Sequence, residues 1–137
     1  MSKNLKALEN QRAHLFQQLQ MLGDFRPGTI SVNYRKCGRK NCICARQGHR
    51  GHGPQFLWNT TQGGKSRAQS LRLGPELEKT RRELENYNRF LRLCNELVAV
   101  NEQICRFRPA HRIEDEAELE ELKKTLRRRF SPKWPRK

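Results

Sequence analysis

Acidic residues are scarce in this chain. Its 137 residues hold 14 Asp and Glu against 29 Lys and Arg, a formal net charge of +15. The shortage is uneven. From residue 23 to residue 74 the only acid is Asp24, beside ten Lys and Arg. Excess positive charge of this size repels itself, excludes basic partners and favours polyanions. Apolar material is short as well, with a hydrophobic fraction of 34%, aromatics at 7% and a mean hydropathy of −1.00. No stretch approaches the roughly 20 apolar residues of a membrane span. The first residues are polar and amphipathic rather than the apolar core of a secretory signal. The expectation is a cytoplasmic protein with no membrane partner. A chain of this length is one domain by default, and a core this small calls for a metal, a disulfide or a partner subunit. In a reducing compartment, clustered cysteines point to metal.

Catalytic signatures are missing too. No nucleophile, base and orienting group stand together, and no carboxylate cluster sits in a glycine-rich pocket, so a non-enzymatic role is expected. Gly63-Gly64-Lys65-Ser66 looks like the end of a phosphate-binding loop. That motif needs glycine at position 59, which is Asn, and a strand-to-helix context, so it is rejected. His14 and His111 are isolated. The acids from Glu114 to Glu121 suit the start of a helix, whose dipole favours negative charge there.

What is present reads as an α+β protein: a helical hairpin of an N-terminal and a long central helix, carrying a small metal-stabilised antiparallel β module, plus a short C-terminal helix. Leu5, Leu8, Leu15, Leu19 and Leu22 follow helical spacing over residues 1–22, with Arg12 interrupting the stripe. Residues 23–74 form the β module. Thr29–Tyr34 is a strand, and Gln55–Thr61 and Lys65–Leu73 are a hairpin joined across Gln62-Gly63-Gly64. Leu71 and Leu73 alternate with Arg72, which predicts one apolar and one basic face. Pro75, followed by Glu76 and Glu78, opens a helix over residues 75–108. One stripe on it is Leu84, Tyr87, Leu91, Cys94 and Val98; a neighbouring stripe is Phe90, Leu93, Leu97, Val100 and Ile104. Leu84, Leu91, Val98 and Ile104 are expected to be buried with Leu8, Leu15 and Leu19, and Cys94 and Cys105 to be small core residues. Residues 112–130 predict a third helix, and 131–137 a flexible basic tail. Residues 1–130 make a single domain.

The densest chemistry is "YRKCGRKNCICARQGHRGHGP", Tyr34 to Pro54. Cys37, Cys42 and Cys44 have the spacing Cys-x4-Cys-x-Cys, and His52 follows, with His49 as a competing fourth ligand. Three thiolates and an imidazole suit tetrahedral zinc, and four protein ligands make the zinc structural. The glycines in the run permit tight turns between such close ligands. Arg35, Lys36, Arg39, Lys40 and Arg46 surround these ligands, and Lys65, Arg67 and Arg72 lie on the hairpin. Arginine and lysine hold phosphates by charge, and arginine also reads guanine.

The run Cys37-Gly38-x3-Cys42-x-Cys44, then His52-Gly53-Pro54, a short strand, a Gly-Lys turn and a long Arg/Glu-rich helix resembles a family of small uncharacterised bacterial proteins. That resemblance covers about residues 28–104. Gln55 stands where the usual aromatic follows His-Gly-Pro. Members are often encoded in or beside transposons and other mobile elements, so the resemblance implies such a genomic setting. It implies no activity.

Together these readings predict a zinc-stabilised nucleic-acid-binding protein, a DNA-binding accessory factor of a mobile element or transposase. The alternatives are a helical subunit that docks a larger transposase or nuclease, and an RNA-binding component of a ribonucleoprotein. A homodimer is a further candidate assembly.

Overall fold

The computed structural model describes residues 2–132. The basic tail expected at 131–137 falls largely outside them. The element order is α1 (Ser2–Gln20), β1 (Thr29–Arg35), β2 (His52–Gln62), β3 (Lys65–Leu71), α2 (Pro75–Phe107) and α3 (Glu116–Arg129), with a single 3-10 turn at Ile43–Ala45. Three helices and a three-stranded antiparallel sheet of order β1-β2-β3 make the fold α+β.

The α1–α2 hairpin holds the apolar core. Leu15, Leu93, Val100 and Ile104 are buried there, and Leu5, Leu8, Leu19, Leu22 and Leu97 pack against them. The buried stripe of α2 is therefore the Leu93–Ile104 one. Leu91 and Val98, expected inside, are 42% and 66% exposed. Two adjacent stripes of similar apolarity cannot both face one partner helix, and the side on which α1 docks selects between them. Cys105, also expected inside, is exposed, and Cys94 is only half-buried. Arg12 interrupts the α1 stripe because it crosses to α2, where its Nη1 donates to Asn101 Oδ1 at 3.1 Å.

The sheet is set by its turns. Gly63 and Gly64, at φ 56° and 78°, form the two-residue turn between β2 and β3. Positive φ at both positions is the type I′ geometry that matches strand twist. The register pairs Ile30 with Trp58 and Trp58 with Gln69, Val32 with Phe56 and Phe56 with Leu71, and Thr60 with Arg67. Directly paired residues share a face. One face therefore carries Ile30, Val32, Phe56, Trp58 and Leu71 together with Lys65 and Arg67. The other carries Thr29, Ser31, Asn33, Gln55, Leu57, Asn59, Thr61, Ser66, Ala68 and Ser70. This corrects the expectation of an apolar and a basic face: Lys65 and Arg67 lie on the side of Leu71. Leu73 lies beyond the strand and is 76% exposed.

A short segment after α1 fastens the sheet to α2. Phe25 stacks on Phe90 at 4.7 Å between ring centroids. Asn86 Nδ2 donates to the Asp24 carbonyl at 2.9 Å. The Arg26 guanidinium lies 4.7 Å above the Trp58 ring and pairs with Glu83 at 2.8 Å. Trp58 Nε1 donates to the Pro27 carbonyl at 2.8 Å. Thr80, Glu83 and Leu84 are buried where this segment covers the first turns of α2.

Helix α3 starts after Asp115, whose carboxylate accepts from the Ala117 N–H at 2.9 Å. None of its residues is buried, and Leu122 and Leu126 are each 41% exposed. Among the described residues, no helix is long and apolar enough to cross a membrane.

Candidate metal centre and basic surface

The loop between β1 and β2 folds back on itself. Cys42, extended at φ −86° and ψ 144°, closes a turn in which its N–H donates to the Arg39 carbonyl at 3.3 Å, and the 3-10 turn Ile43–Ala45 reverses the chain behind it. Its hydrogen bonds run from Ala45 N–H to the Cys42 carbonyl at 3.0 Å and from Arg46 N–H to the Ile43 carbonyl at 3.2 Å. The reversal carries Cys44 into a fully buried position beside Cys37, whose N–H donates to Cys44 Sγ at 3.4 Å. His52 opens β2, and the close approach of Gly51 to β1 delivers it. A Cβ on Gly51, at φ +102°, would sit 2.6 Å from the Arg35 carbonyl carbon. Only glycine fits so tight a crossing at that backbone angle.

The result is a compact donor set. The sulfurs of Cys37, Cys42 and Cys44 and a ring nitrogen of His52 all lie within 4.8 Å of one another. Cys37 Sγ and Cys44 Sγ are 3.5 Å apart, and Cys42 Sγ and His52 Nε2 are 3.1 Å apart. With metal–sulfur bonds of about 2.3 Å, a tetrahedral site spaces its sulfurs about 3.8 Å apart. The four side chains could thus hold a metal ion once their spacings change by about 1 Å or less. His49 takes another task, since its Nδ1 accepts the Gly51 N–H at 2.9 Å.

The thiols are electrostatically unlike. The backbone N–H of Arg39, then the side chain of Cys44, stabilise a thiolate at Cys37 and lower its pKa. At Cys44 the Cys37 N–H also favours the thiolate, but burial and the neighbouring thiols outweigh it, and the net shift is upward. Coordination by a cation would favour the thiolate at all three positions.

The eight basic residues singled out by the sequence are all exposed. They fall into two groups at opposite ends of the sheet. Arg35 ends β1, Lys36, Arg39 and Lys40 follow in the ligand loop, Arg46 ends the 3-10 turn, and Arg72 follows β3. Lys65 and Arg67 lie on β3 next to the hairpin turn. Among the described residues, none of the eight has a carboxylate within ion-pair distance. Arg26, by contrast, is spent on Glu83 and Trp58. Its cross-chain role leaves no mark in the sequence beyond an arginine three residues after Gly23.

Residues 5–89, more than half of the chain, match the model of a family described as a domain of unknown function, DUF6788, and the chain belongs to that family. The match takes in α1, the whole β module with its four candidate ligands, and the first turns of α2. No curated protein and no solved structure matches the chain.

Proposed function

We propose that the β module is a zinc-stabilised nucleic-acid-binding unit, and that the protein serves as a DNA-binding accessory factor of a mobile element. Three thiolates and one imidazole favour zinc over harder cations, which prefer oxygen ligands. Four protein ligands leave no open coordination position, so the ion orders the loop and catalyses nothing. The ordered loop then presents Arg35, Lys36, Arg39, Lys40 and Arg46 at one end of the sheet, with Lys65 and Arg67 at the other. The single observation that carries this reading is the lack of ion-pairing carboxylates around these cations. Phosphates are the natural counter-charges for such an array.

Elemental analysis of untagged protein should give about one zinc per chain. Affinity for a duplex should fall with salt by about one log unit per log of salt for each phosphate contacted. Protein without zinc, or duplex binding that ignores salt, would overturn the reading.

One observation favours a second reading. Leu91 and Val98 on α2, and Leu122, Leu126 and Phe130 on or beside α3, are exposed apolar side chains. They suit a helical subunit docking a transposase, another large protein or a second copy. Under that reading, Leu91→Asp together with Val98→Asp abolishes assembly while duplex binding is unchanged.

A further inference from the structure

The sheet has two unlike faces, and the nucleic-acid reading above leaves open which of them meets the ligand. The face with Trp58 is covered around that ring, although Val32 on it is exposed. Arg26 covers its ring, Pro27 accepts its N–H, and Leu71 beside it is buried. The opposite face is open. Thr29, Asn33, Gln55, Thr61, Ser66 and Ser70 on it are exposed. Over the regular register, from Thr29 to Asn33 on β1 and before the bulge that leads to Arg35, it carries no charged residue and no aromatic one, and Leu57 is its single large apolar side chain. Asn33 and Gln55 lie directly opposite each other where the regular β1–β2 pairing ends beside the ligand loop, and Asn59 donates to Ser31 at 2.8 Å on the same face. Unpaired cations of the ligand loop, Lys36, Arg39 and Lys40, border this neutral face at one end of the strands, whereas Lys65 and Arg67 near the turn belong to the other face.

We propose that this amide- and hydroxyl-bearing face enters the major groove of B-form DNA and reads base edges there, with Asn33 and Gln55 as the principal specificity-determining side chains. The inference rests on the nucleic-acid reading. Asparagine and glutamine can donate to and accept from adenine in a bidentate pair, and serine and threonine bond either base type. Strands spaced about 4.8 Å apart put the outer two about 10 Å apart. That width suits a major groove of about 12 Å and exceeds a minor groove of about 6 Å. The deep, narrow major groove of A-form RNA does not admit it. Single strands are held by stacking on exposed aromatics, and this face offers none. Charge complementarity completes the fit: the groove floor is met by neutral side chains and the flanking phosphates by the cations of the ligand loop beside Asn33 and Gln55.

The test uses the full zinc-loaded chain and a pool of random duplexes. Selection should enrich a motif bound at least about 100-fold more tightly than scrambled duplex at equal salt. Asn33→Ala with Gln55→Ala should cut that ratio by about 10-fold or more while leaving affinity for scrambled duplex and zinc content unchanged. Wild-type protein on motif DNA carrying 7-deazapurines, which lack the major-groove N7 acceptor, should lose specificity similarly, and this decides the matter should the double variant fail to fold. A motif that survives both changes, equal binding of all duplexes, or a preference for RNA or single strands overturns this inference and leaves the nucleic-acid reading standing. No binding to any nucleic acid overturns both.

Discussion

The helical hairpin and the β module solve the problem of holding together in different ways. The hairpin buries leucine, valine and isoleucine along one seam, and α2 balances much of its own charge. Arg81 pairs with Glu78 and Glu85, Arg82 with Glu78, Lys79 with Glu83 and Arg106 with Glu102. Arg81 holds the Glu78 carboxyl down to a pKa of about 2. Among its apolar residues the module fully buries only Leu71 and Cys44, and apart from Arg26 none of its cations pairs with an acid among the described residues. Helices of this kind stand without help from a ligand. Under the proposed function, a sheet with so little core and so much unpaired charge relies on an ion inside and meets a polyanion outside.

The largest effect that would separate the two regions is removal of the metal. Structural zinc contributes about 10–16 kcal/mol of apparent binding free energy in small domains. Chelation, or Cys44→Ser, should strip amide hydrogen-exchange protection from residues 29–71 and spare the α1–α2 hairpin. Loss of protection in both regions together would break the comparison. Acid should act the same way. The ligands bind deprotonated, so affinity falls as pH falls, and Cys37, with its lowered pKa, resists protonation longer than Cys44, whose pKa is raised. Titration with a chromophoric metal indicator reads the release.

Next in size is the hairpin core. Ile104, at 2% exposure, should cost about 2–5 kcal/mol on replacement by alanine, with zinc content unchanged. Val98→Ala should change stability by less than about 0.5 kcal/mol, because that side chain is exposed. Denaturant melts of both variants check the stripe assignment directly. Equal losses would mean that both stripes are covered.

The joint between the regions should give a smaller effect. Arg26→Ala removes the pair to Glu83 and the cover over Trp58, and should cost about 1–3 kcal/mol. Its signature is a change in Trp58 fluorescence alongside retained helicity. The smallest effect belongs to exposed pairs within α2. Arg106→Ala should shift stability by under about 0.5 kcal/mol.

Much of this division was legible in the sequence. Pro75 with its following glutamates marked the start of α2, and Gly63-Gly64 marked the hairpin turn, because proline and paired glycines restrict the backbone wherever they stand. The close-set cysteines and His52 announced a donor set through chemistry alone. The faces were harder. Arg72, the cation read as marking a basic face, lies past the end of β3, and Lys65 and Arg67 stand an even number of residues from Leu71, so period-two alternation puts them on the apolar side. On α2, two adjacent stripes were equally apolar, and the docking side of α1 chose between them. Arg26 looked like one more cation until the fold brought Trp58 and Glu83 to it. Cys105 shows the same limit: an apolar position on a long helix is buried only where a neighbour reaches it.

The most direct test of the central claim compares two variants that lose equal charge. One changes Arg39, Lys40, Lys65 and Arg67 to glutamate in the module. The other changes Lys123, Lys124, Arg127 and Arg128 to glutamate on α3. Duplex affinity of each is measured at several salt concentrations, with zinc content and helicity as controls. The account predicts that the module variant loses far more affinity and has the shallower salt slope, while the α3 variant stays close to wild type. Equal losses would mean that net charge alone drives binding, and a greater loss in the α3 variant would move the nucleic-acid surface to that helix and contradict the account.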